Sequence, residues 1–538
     1  MTADLSHRGR AANLARMASE TFNVAVVGGG IVGAAIARDA ALRGLKTALI
    51  DKGDFASGTS GKTSRLVHGG LRYLKNGKIR LVRTALRERD LLLRRAPGLV
   101  RPLAFTLPAY RGKGAGPLSL RLGLLLYDAL SRDKVLPRRA WLDAAATLAR
   151  EPQLSPDALR ASGRYHDALT DDARLVLAVV RAAADAGAVA ANYAEAIDLA
   201  AEGGSVVGVH VRPRLEDGEP FLLCAPVVVN AIGVWLTAPY AAGVPARPLR
   251  PTKGIHIFVP RDRVGNREAV VLTSPHDGRM LFVLPWGRLA LVGTTDTDHR
   301  GDLNAPVPEA ADVDYLLDAV NATFPFARLA RADVVSAYAG LRPLLGSTAT
   351  RESDISREHE IFESPDGLLS IAGGKLTTMR AMAEEVVDRV CVRLGRSGPR
   401  ATREAGLGPS PEARERFRAL GLDDATAEHL GCRHDPETLA RFLSEPRARE
   451  RVDPELPFVW AEIDAAVEAE MAQTLADVMV RRLGLFYESM DQGRTVAPLV
   501  AARIAPRLGW TADRVTEEIR AYGALIDDHR RFREDHGR

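Results

Sequence analysis

The stretch FNVAVVGGGIVGAAIARDAALRGLKTALIDKGD, residues 22–54, decides the fold. Residues 24–27 form a short apolar run typical of a buried strand, residues 31–42 have the pattern of a helix, and 46–51 form a second strand. Two strands joined through one helix make a βαβ unit, in which the strands pair in parallel. We therefore predict an α/β protein built on a Rossmann-like sheet.

Three glycines between the first strand and the helix predict a dinucleotide site. Gly28, Gly30 and Gly33 occupy the G-x-G-x-x-G positions, and Asp51 ends the second strand. Gly28 permits the tight turn, Gly30 lets the backbone approach a pyrophosphate, and Gly33 allows close packing of the helix. The helix N-terminus attracts the anion, and Asp51 can accept a hydrogen bond from a ribose hydroxyl.

Length and composition limit the class of protein. A chain of 538 residues exceeds the usual single core of ~100–200 residues, so two or three packed units are expected. The formal charge of +5 favours anionic partners, which include phosphorylated metabolites, anionic lipid and nucleic acid. The three cysteines are far apart, which indicates neither a disulfide framework nor a zinc site. Residues 1–20 lack the apolar core of a signal peptide and no run of ~18 apolar residues occurs, so we expect a soluble or surface-bound protein.

The rest of the chain extends this organisation. Residues 225–235 and 367–395 each contain an apolar strand that ends in glycine, which predicts a nucleotide domain discontinuous in sequence. The runs GIHIFVP, MLFVLPW and RLALVGTTDTD between them predict an antiparallel second layer. A Gly/Pro-containing break at 395–411 precedes a helical tail. Apolar residues at helical spacing in this tail are expected to pack in the core: Ile463, Val467, Met471, Leu475, Val478 and Met479.

Together these motifs resemble the FAD-dependent sn-glycerol-3-phosphate dehydrogenases, the respiratory, quinone-linked flavoproteins. The segments that carry the resemblance, besides the glycine loop, are TSRLVHGGLRYL, DDARLVLAVV, KGIHIFVPR, LPWGRLALVGTTDT, GLRPLLG, GGKLTTMRAMAEE and AEIDAAVEAEMAQTLADVMVRR. They extend over nearly the whole chain from about residue 20, which makes the set more specific than any single motif.

The resemblance implies an architecture of three domains. A Rossmann-like FAD-binding domain of the glutathione-reductase type is expected with a mixed or antiparallel β substrate domain and a C-terminal α-helical cap. The expected ranges are 20–95, 160–245 and 335–395 for FAD binding, 96–159 and 246–334 for substrate binding, and 405–538 for the cap.

The resemblance also assigns cofactor contacts in GTSGKTSRLVHGGLRYLK, residues 58–75, and in GGKLTT, residues 373–378. Short hydroxyl side chains suit phosphate and ribose oxygens, and glycines let the backbone lie against a flat ring. The implied FAD contacts are Thr59, Ser60, Ser64, His68, Gly69, Gly70, Gly373, Gly374, Leu376 and Thr377.

Cations from distant segments are expected to form the substrate pocket. A planar arginine fork can pair with a phosphate dianion through two charge-assisted hydrogen bonds. The implied substrate-binding residues are Arg72, Tyr73 and Arg357, and the implied catalytic residues are His256, Arg342 and Lys375.

The implied reaction is oxidation of sn-glycerol 3-phosphate to dihydroxyacetone phosphate, with the C2 hydrogen leaving as hydride to flavin N5. The C2 hydroxyl needs a base with a pKa near neutrality, which arginine does not provide. His256 is the favoured base, and His68 and a lysine of lowered pKa at 375 are its rivals.

The electron acceptor implied by the resemblance is membrane quinone. In KIRLVRTALRERDLLLRR, residues 78–95, apolar positions share one helical face and basic residues dominate, as in helices that lie on anionic lipid; residues 118–130 add apolar surface. A buried amphipathic helix with solvated cations is the alternative. We expect a cytoplasmic protein attached peripherally to the inner face of the cell membrane, with a homodimer allowed.

Two other functions fit parts of the sequence. A glycerol-3-phosphate oxidase would use the same site but pass electrons to oxygen and release hydrogen peroxide. A flavin-binding interaction protein without dehydrogenase activity would use its basic faces for a partner. Nucleic acid is not expected as that partner, because no recognised nucleic-acid motif accompanies the basic residues.

Overall fold

The computed structural model describes residues 4–112, 116–131, 135–215, 218–236, 249–345 and 358–534. The strands are β1 (Val24–Val27), β2 (Thr47–Ile50), β3 (Leu66–Val67), β4 (Val100–Tyr110), β5 (Ala140–Asp143), β6 (Leu159–Thr170), β7 (Val189–Ala191), β8 (Ala194–Glu202), β9 (Ser205–Pro213), β10 (Phe221–Cys224), β11 (Val228–Asn230), β12 (Leu249–Pro260), β13 (Ala269–Thr273), β14 (Met280–Trp286), β15 (Leu289–Gly293), β16 (Thr297–Asp298), β17 (Ser336–Leu345), β18 (His359–Glu363) and β19 (Leu369–Gly373). The helices are α1 (His7–Ser19), α2 (Ile31–Leu42), α3 (Arg72–Lys75), α4 (Ile79–Arg95), α5 (Pro117–Leu130), α6 (Ala144–Arg150), α7 (Asp172–Asp185), α8 (Arg261–Val264), α9 (Ala310–Thr323), α10 (Met379–Arg393), α11 (Ala413–Ala419), α12 (Asp424–Gly431), α13 (Pro436–Ala440), α14 (Trp460–Glu468), α15 (Leu485–Glu488), α16 (Ala497–Leu508) and α17 (Ala512–Arg530).

The predicted Rossmann-like sheet is confirmed. Its six strands lie in the order β18-β19-β11-β1-β2-β7, and all pair in parallel except β18 at the edge, which is antiparallel to β19. Strands β1 and β2 are buried at every residue, as expected for a parallel sheet covered on both faces. The alanine-rich helix α2 crosses between them and packs against α7 and α10, where small side chains allow close approach.

The predicted antiparallel layer is part of a larger, ten-stranded sheet. Strand β15 lies between β12 and β14 and pairs antiparallel with both, and β17 pairs with β12 along ten residues. His256 on β12 lies opposite Tyr338 on β17, and Arg342 lies opposite Thr252. Since side chains on a strand alternate between faces, His256, Tyr338 and Arg342 share one face of this sheet.

The domain division by residue ranges remains a prediction. Strands β6 and β17 lie in ranges expected for the FAD-binding domain, yet both belong to the ten-stranded sheet. They join it because each pairs along its length with a strand of the expected substrate domain, β6 with β4 and β17 with β12. The three-stranded sheet β10-β9-β8 is an antiparallel addition beside the Rossmann-like sheet.

The C-terminal segment packs mostly as helices, as predicted. All six apolar residues expected in its core are fully buried. They do not lie on one continuous helix, because α14 ends at Glu468 and Met471 adopts a left-handed conformation with φ of 56° before a π-helical segment, Asp477–Leu483. Arg481 and Arg482 of that segment form ion pairs with the buried Asp54, which follows β2. This contact fixes the C-terminal segment to the Rossmann-like sheet.

Of the two predictions for residues 78–95, the lipid-facing stripe is wrong, and the buried amphipathic helix is confirmed. Val82 and Leu86 of α4 are fully buried and Leu93 nearly so, because this face packs into the hydrophobic core; Ile79 alone of the predicted stripe is exposed. Helix α5 packs against α4 and, as predicted for residues 118–130, exposes apolar side chains: Leu118, Leu122, Leu125 and Leu126. Among the described residues, no helix combines the length and apolar character needed to cross a bilayer.

Candidate active site

The glycine loop after β1 has the geometry that its sequence predicts. Gly28 has φ of 111°, in the region that favours glycine. A Cβ at Gly33 would lie 1.8 Å from the carbonyl oxygen of Gly28, so the helix can approach the strand only without a side chain there. Gly30 is the N-cap of α2 and lines a cavity in front of the loop.

Asp51 holds the same loop from the end of β2. Its Oδ2 accepts a hydrogen bond from the Gly29 N–H at 2.6 Å, and its Oδ1 accepts from the Gly53 N–H at 2.8 Å. Burial raises the pKa of this carboxyl to about 6, against the lowering effect of the two backbone donors. Asp51 lines the cavity, where a ribose hydroxyl would be a further donor.

The cavity has a volume of about 940 Å³ and is lined both by the glycine loop and by residues 373–376, which precede α10. The predicted cofactor residues that line it are Gly28, Gly30, Asp51, Thr59, Ser60, Gly373, Gly374 and Leu376. Glycines, hydroxyls and a helix N-terminus suit the pyrophosphate of a dinucleotide. Sequence reasoning missed several further lining residues at this cavity: Lys52, Glu195, Arg212, Arg214, Trp235 and Asn304.

Hydroxyl side chains of the loop at 58–64 fix its path. Ser60 Oγ accepts from the Ile31 N–H at 2.9 Å, and Thr59 Oγ1 donates to the Leu341 carbonyl at 2.6 Å. Both residues remain at the cavity wall. Ser64 lies instead in a second cavity, where its Oγ is 2.8 Å from His256 Nε2.

The remaining predicted cofactor residues surround or support this second cavity. His68, Gly70 and Thr377 line it, and the His68 N–H donates to Thr377 Oγ1 at 3.1 Å. Gly69 lies behind the loop, where its N–H donates to the buried Asp167 at 3.3 Å. A Cβ at Gly69 would lie 2.4 Å from the hydroxyl of Tyr127, so this glycine allows close packing against α5.

The second cavity is small, about 200 Å³, and cationic. It joins the first, because Thr59, Lys375 and Leu376 line both. Its charged lining residues are Lys62, Arg72, Arg342 and Lys375, with His68 and His256 beside them; no carboxylate occurs among the described lining residues. Lys62 was not predicted, and burial together with the nearby Arg481 lowers its pKa to about 8.

His256 is held rigidly at the wall of the second cavity. The residue is 2% exposed, and its ring stacks on Tyr338 with centroids 4.9 Å apart. Its Nε2 is hydrogen-bonded to Ser64, while Nδ1 has no partner among the described residues. Burial lowers the pKa of this imidazole well below 6.5, and the charges of Arg342 and Arg65 lower it further. His256 is therefore neutral near pH 7.

The predicted cations converge on the same space. Arg342 donates to Asp296 Oδ1 at 2.8 Å and to Thr294 Oγ1 at 2.9 Å, which fixes its guanidinium. Lys375 Nζ lies 4.1 Å from the centroid of the Tyr73 ring, and Arg72 Nη2 donates to the Tyr73 hydroxyl at 3.1 Å. Arg357 lies outside the described residues.

Comparisons with known proteins match this geometry. The family model described as FAD dependent oxidoreductase matches residues 23–389, and the model of the C-terminal domain of alpha-glycerophosphate oxidase matches 371–515. A glycerol-3-phosphate dehydrogenase of Mycobacterium leprae is 38% identical, with 96% of this chain and 90% of the relative covered. An aerobic glycerol-3-phosphate dehydrogenase of Bacillus subtilis is 33% identical, with 96% of each chain covered.

A solved structure agrees with these relatives. The glycerol-3-phosphate dehydrogenase from Bacillus halodurans, complexed with FAD, superposes with a TM-score of 0.80 at 30% identity and covers 97% of this chain and 98% of its own. The fold and the two joined cavities define an FAD-dependent oxidoreductase. More specifically, the chain belongs to the FAD-dependent glycerol-3-phosphate dehydrogenase family.

Proposed function

We propose that the protein oxidises sn-glycerol 3-phosphate to dihydroxyacetone phosphate and passes the electrons to membrane quinone. The observation that carries this proposal is the small cavity beside the cofactor cavity, with four cations and no carboxylate on its described lining. A cavity of about 200 Å³ suits a small phosphoester rather than a polymer or a long-chain substrate. Its charge favours a dianion.

The substrate phosphate is proposed to bind between Arg72, Arg342 and Lys375. Asp296, Thr294 and the Thr295 carbonyl accept three hydrogen bonds from Nη1 and Nη2 of Arg342, and a guanidinium has five N–H donors, so donors remain for a ligand. Arginine can bind phosphate through two parallel hydrogen bonds, and lysine adds a point charge. Gly70, with φ of 81°, keeps the loop clear: a Cβ there would lie 2.6 Å from Lys375 Nζ.

His256 is proposed to accept the proton of the C2 hydroxyl. When bound, the flavin supplies the two-electron acceptor that takes the C2 hydrogen as hydride at N5. Ser64 and Tyr338 hold the imidazole in one orientation, and because the ring is neutral, one of its nitrogens can accept a proton. The phosphate dianion would offset the charge of Arg342 and raise the basicity of His256 only when substrate is present.

His68 and Lys375 remain rivals for this role. His68 lines the same cavity, with its ring 6.5 Å from that of Phe282 in an edge-on arrangement. Lys375 lines the cavity among other cations, with its Nζ 4.1 Å from the centroid of the Tyr73 ring. We favour His256 because its ring is both neutral and fixed on two sides.

Anaerobic stopped-flow reduction of bound flavin tests this proposal. Glycerol 3-phosphate should bleach the flavin and glycerol should not, because only the phosphoester engages the cations. His256→Asn should slow the reduction by roughly 10²–10⁴-fold with FAD content retained, as expected for loss of a general base. His68→Asn is the matched control and should retain most of the rate. An unchanged rate in His256→Asn, or the larger loss in His68→Asn, would contradict the assignment.

Membrane quinone is the proposed acceptor because of the surface formed by α5. Helix α5 packs against α4 and exposes four leucines, and α4 with its N-cap exposes the cations Lys78, Arg80, Arg83 and Arg87. Apolar side chains beside cations suit the inner leaflet of an anionic membrane. The oxidase alternative predicts stoichiometric hydrogen peroxide in aerobic turnover without quinone or dye. Such release at the full turnover rate would replace quinone by oxygen in the proposal.

A further inference from the structure

Three side chains from separate parts of the chain meet at the wall of the larger cavity. Lys52 follows β2, Trp235 ends the short helical turn after β11, and Asn304 lies between β16 and α9. Asn304 Oδ1 accepts hydrogen bonds from Lys52 Nζ at 2.9 Å and from Trp235 Nε1 at 3.0 Å. Lys52 Nζ also lies 4.1 Å from the centroid of the Trp235 ring. All three residues line the cavity.

The amide of Asn304 is oriented for these two bonds. Asp302 Oδ1 accepts from both the backbone N–H and the Nδ2 of Asn304 at 2.9 Å. With the NH₂ group held by this carboxylate, the amide oxygen is the group that faces the two donors. The indole of Trp235 is seated against the loop at 58–61, since a Cβ at Gly58 would lie 3.1 Å from its Cζ3 atom.

The cluster of Lys52, Asn304 and Trp235 lies where the fold binds its cofactor. Lys52 and Trp235 lie at the carboxyl ends of two strands of the Rossmann-like sheet, where a dinucleotide binds. Asn304 belongs to the segment that follows β16 of the ten-stranded sheet. The cluster therefore connects the two sheets across the wall of the cavity, next to Asp51.

We propose that Lys52, Asn304 and Trp235 form a latch that closes the cofactor cavity beside Asp51 and slows the dissociation of FAD. The bonds to one acceptor break together when the segment around Asn304 moves away. Release of the cofactor then requires loss of both hydrogen bonds and of the cation–π contact. The latch concerns cofactor retention alone and is independent of the substrate and of the electron acceptor.

Dissociation of FAD from the holoenzyme tests the latch. The holoenzyme is diluted in the absence of substrate, and the rise in fluorescence of released flavin gives the rate constant. Asn304→Ala and Lys52→Met should each release FAD about tenfold faster than wild type, the change expected for loss of one or two hydrogen bonds. Lys52→Arg keeps a cationic donor and should restore slow release.

A double variant separates a latch from two independent effects. Because either single variant already removes the Lys52–Asn304 hydrogen bond, Lys52→Met with Asn304→Ala should release FAD more slowly than the product of the two single increases, since only the cation–π contact is left to lose. Thermal unfolding of the apoproteins should match wild type, which excludes a folding defect as the cause of release. An unchanged release rate in Asn304→Ala, or rate increases that multiply in the double variant, would overturn the proposal.

Discussion

Gly33 is the residue at which the cofactor loop tolerates the least change. A Cβ on this glycine would lie 1.8 Å from the Gly28 carbonyl oxygen. The backbone of Gly33 belongs to α2, and Gly28 directly follows β1, so neither can move away without disturbing these elements. Gly33→Ala should therefore move α2 off β1, abolish FAD retention and destabilise the fold. Flavin absorbance of the purified protein and its thermal unfolding measure the two effects.

Gly116→Ala is the matched control for this substitution. A Cβ at Gly116 meets no described atom within 4 Å, and its φ of −64° is open to any residue. The control should bind FAD as wild type does. Full flavin content in Gly33→Ala would contradict the packing role given to this glycine.

The roles of single residues were predictable from sequence where the backbone geometry or the ligand accepts only one or two residue types. The glycine loop and Asp51 follow from backbone constraints that act over a few residues. The family pattern brought His256, Arg342 and Lys375 to one cavity, where the structure also places them. Lys62 was missed because a lysine in a Ser/Thr-rich loop resembles a solvated one, and the charged groups that act on it, Arg481 and His529, lie more than 400 residues away in sequence.

At the scale of elements, the exposed leucines of α5 form an apolar surface that would be stabilised by contact with lipid. Leu118 and Leu122 are 72% and 57% exposed, and each would remove apolar area from water on entering a lipid surface. Burial of one leucine contributes about 1.5–3 kcal/mol. Leu118→Asp with Leu122→Asp should therefore reduce binding to phosphatidylglycerol vesicles by at least ~100-fold in a sedimentation assay.

The control for the α5 variant is Leu499→Asp, at a leucine that is 53% exposed on α16. This substitution removes comparable apolar surface from another helix and should leave vesicle binding unchanged. Equal losses in the two variants, or none in the α5 variant, would remove α5 as the lipid contact.

Helix α4 shows why sequence alone could not decide between a lipid-bound and a buried amphipathic helix. An apolar stripe with basic residues opposite is the pattern of a lipid-bound helix and equally of a surface helix packed on a core. The difference lies in what covers the stripe, and here the core packed against α4 includes Phe105 of the next strand, β4, and Tyr165 of the distant strand β6. Periodicity therefore predicted the helix but not its partner.

At the scale of the whole molecule, Asp54 joins the C-terminal helices to the Rossmann-like sheet. Arg481 and Arg482 hold the pKa of this buried carboxyl at about 2, and Asn192 Nδ2 donates to it at 2.9 Å. Asp54→Asn would remove the carboxylate that the two buried arginines share, leaving Arg481 paired with Asp477 and Arg482 with only the more distant Glu470. The free energy of unfolding at pH 7 should fall by about 3–5 kcal/mol.

Chemical denaturation measures this change, with Asp157→Asn as the control on an exposed loop. The control should differ from wild type by less than about 0.5 kcal/mol. A value for Asp54→Asn within the same limit would mean that the ion pairs do not hold the two parts together.

His529 gives the stability of the whole molecule a pH dependence. The residue lies near the end of α17, and burial lowers its pKa to about 4, with the charge of Lys62 acting in the same direction. As the pH falls below the unfolded value of about 6.5, the unfolded chain binds a proton that the native protein does not. The contribution of His529 to stability is therefore lost as the pH falls through this window.

Comparison with His529→Gln isolates this single group. Between pH 6 and pH 4.5 the free energy of unfolding of wild type should fall relative to the variant by about 1.4 kcal/mol per pH unit. Denaturation curves at several pH values measure the difference. Parallel curves for the two proteins would show that the native His529 titrates normally.

The overall architecture was predictable from local patterns, and the strand pairing was not. The βαβ unit and the antiparallel runs each lie within a few tens of residues, so their periodicity shows them. The pairing of β17 with β12 and of β6 with β4 depends on contacts across distant segments. Those pairings position His256 against Tyr338 and so determine the geometry of the site.

The order of strands in the Rossmann-like sheet has a consequence for synthesis of the protein on the ribosome. Strand β11 pairs on one side with β1, made near the start, and on the other with β19, which ends at Gly373. A nascent chain therefore carries β11 as an open sheet edge until more than two thirds of the polypeptide has emerged. Capture of the cofactor is accordingly a late event, and incomplete chains expose an edge that chaperones would shield.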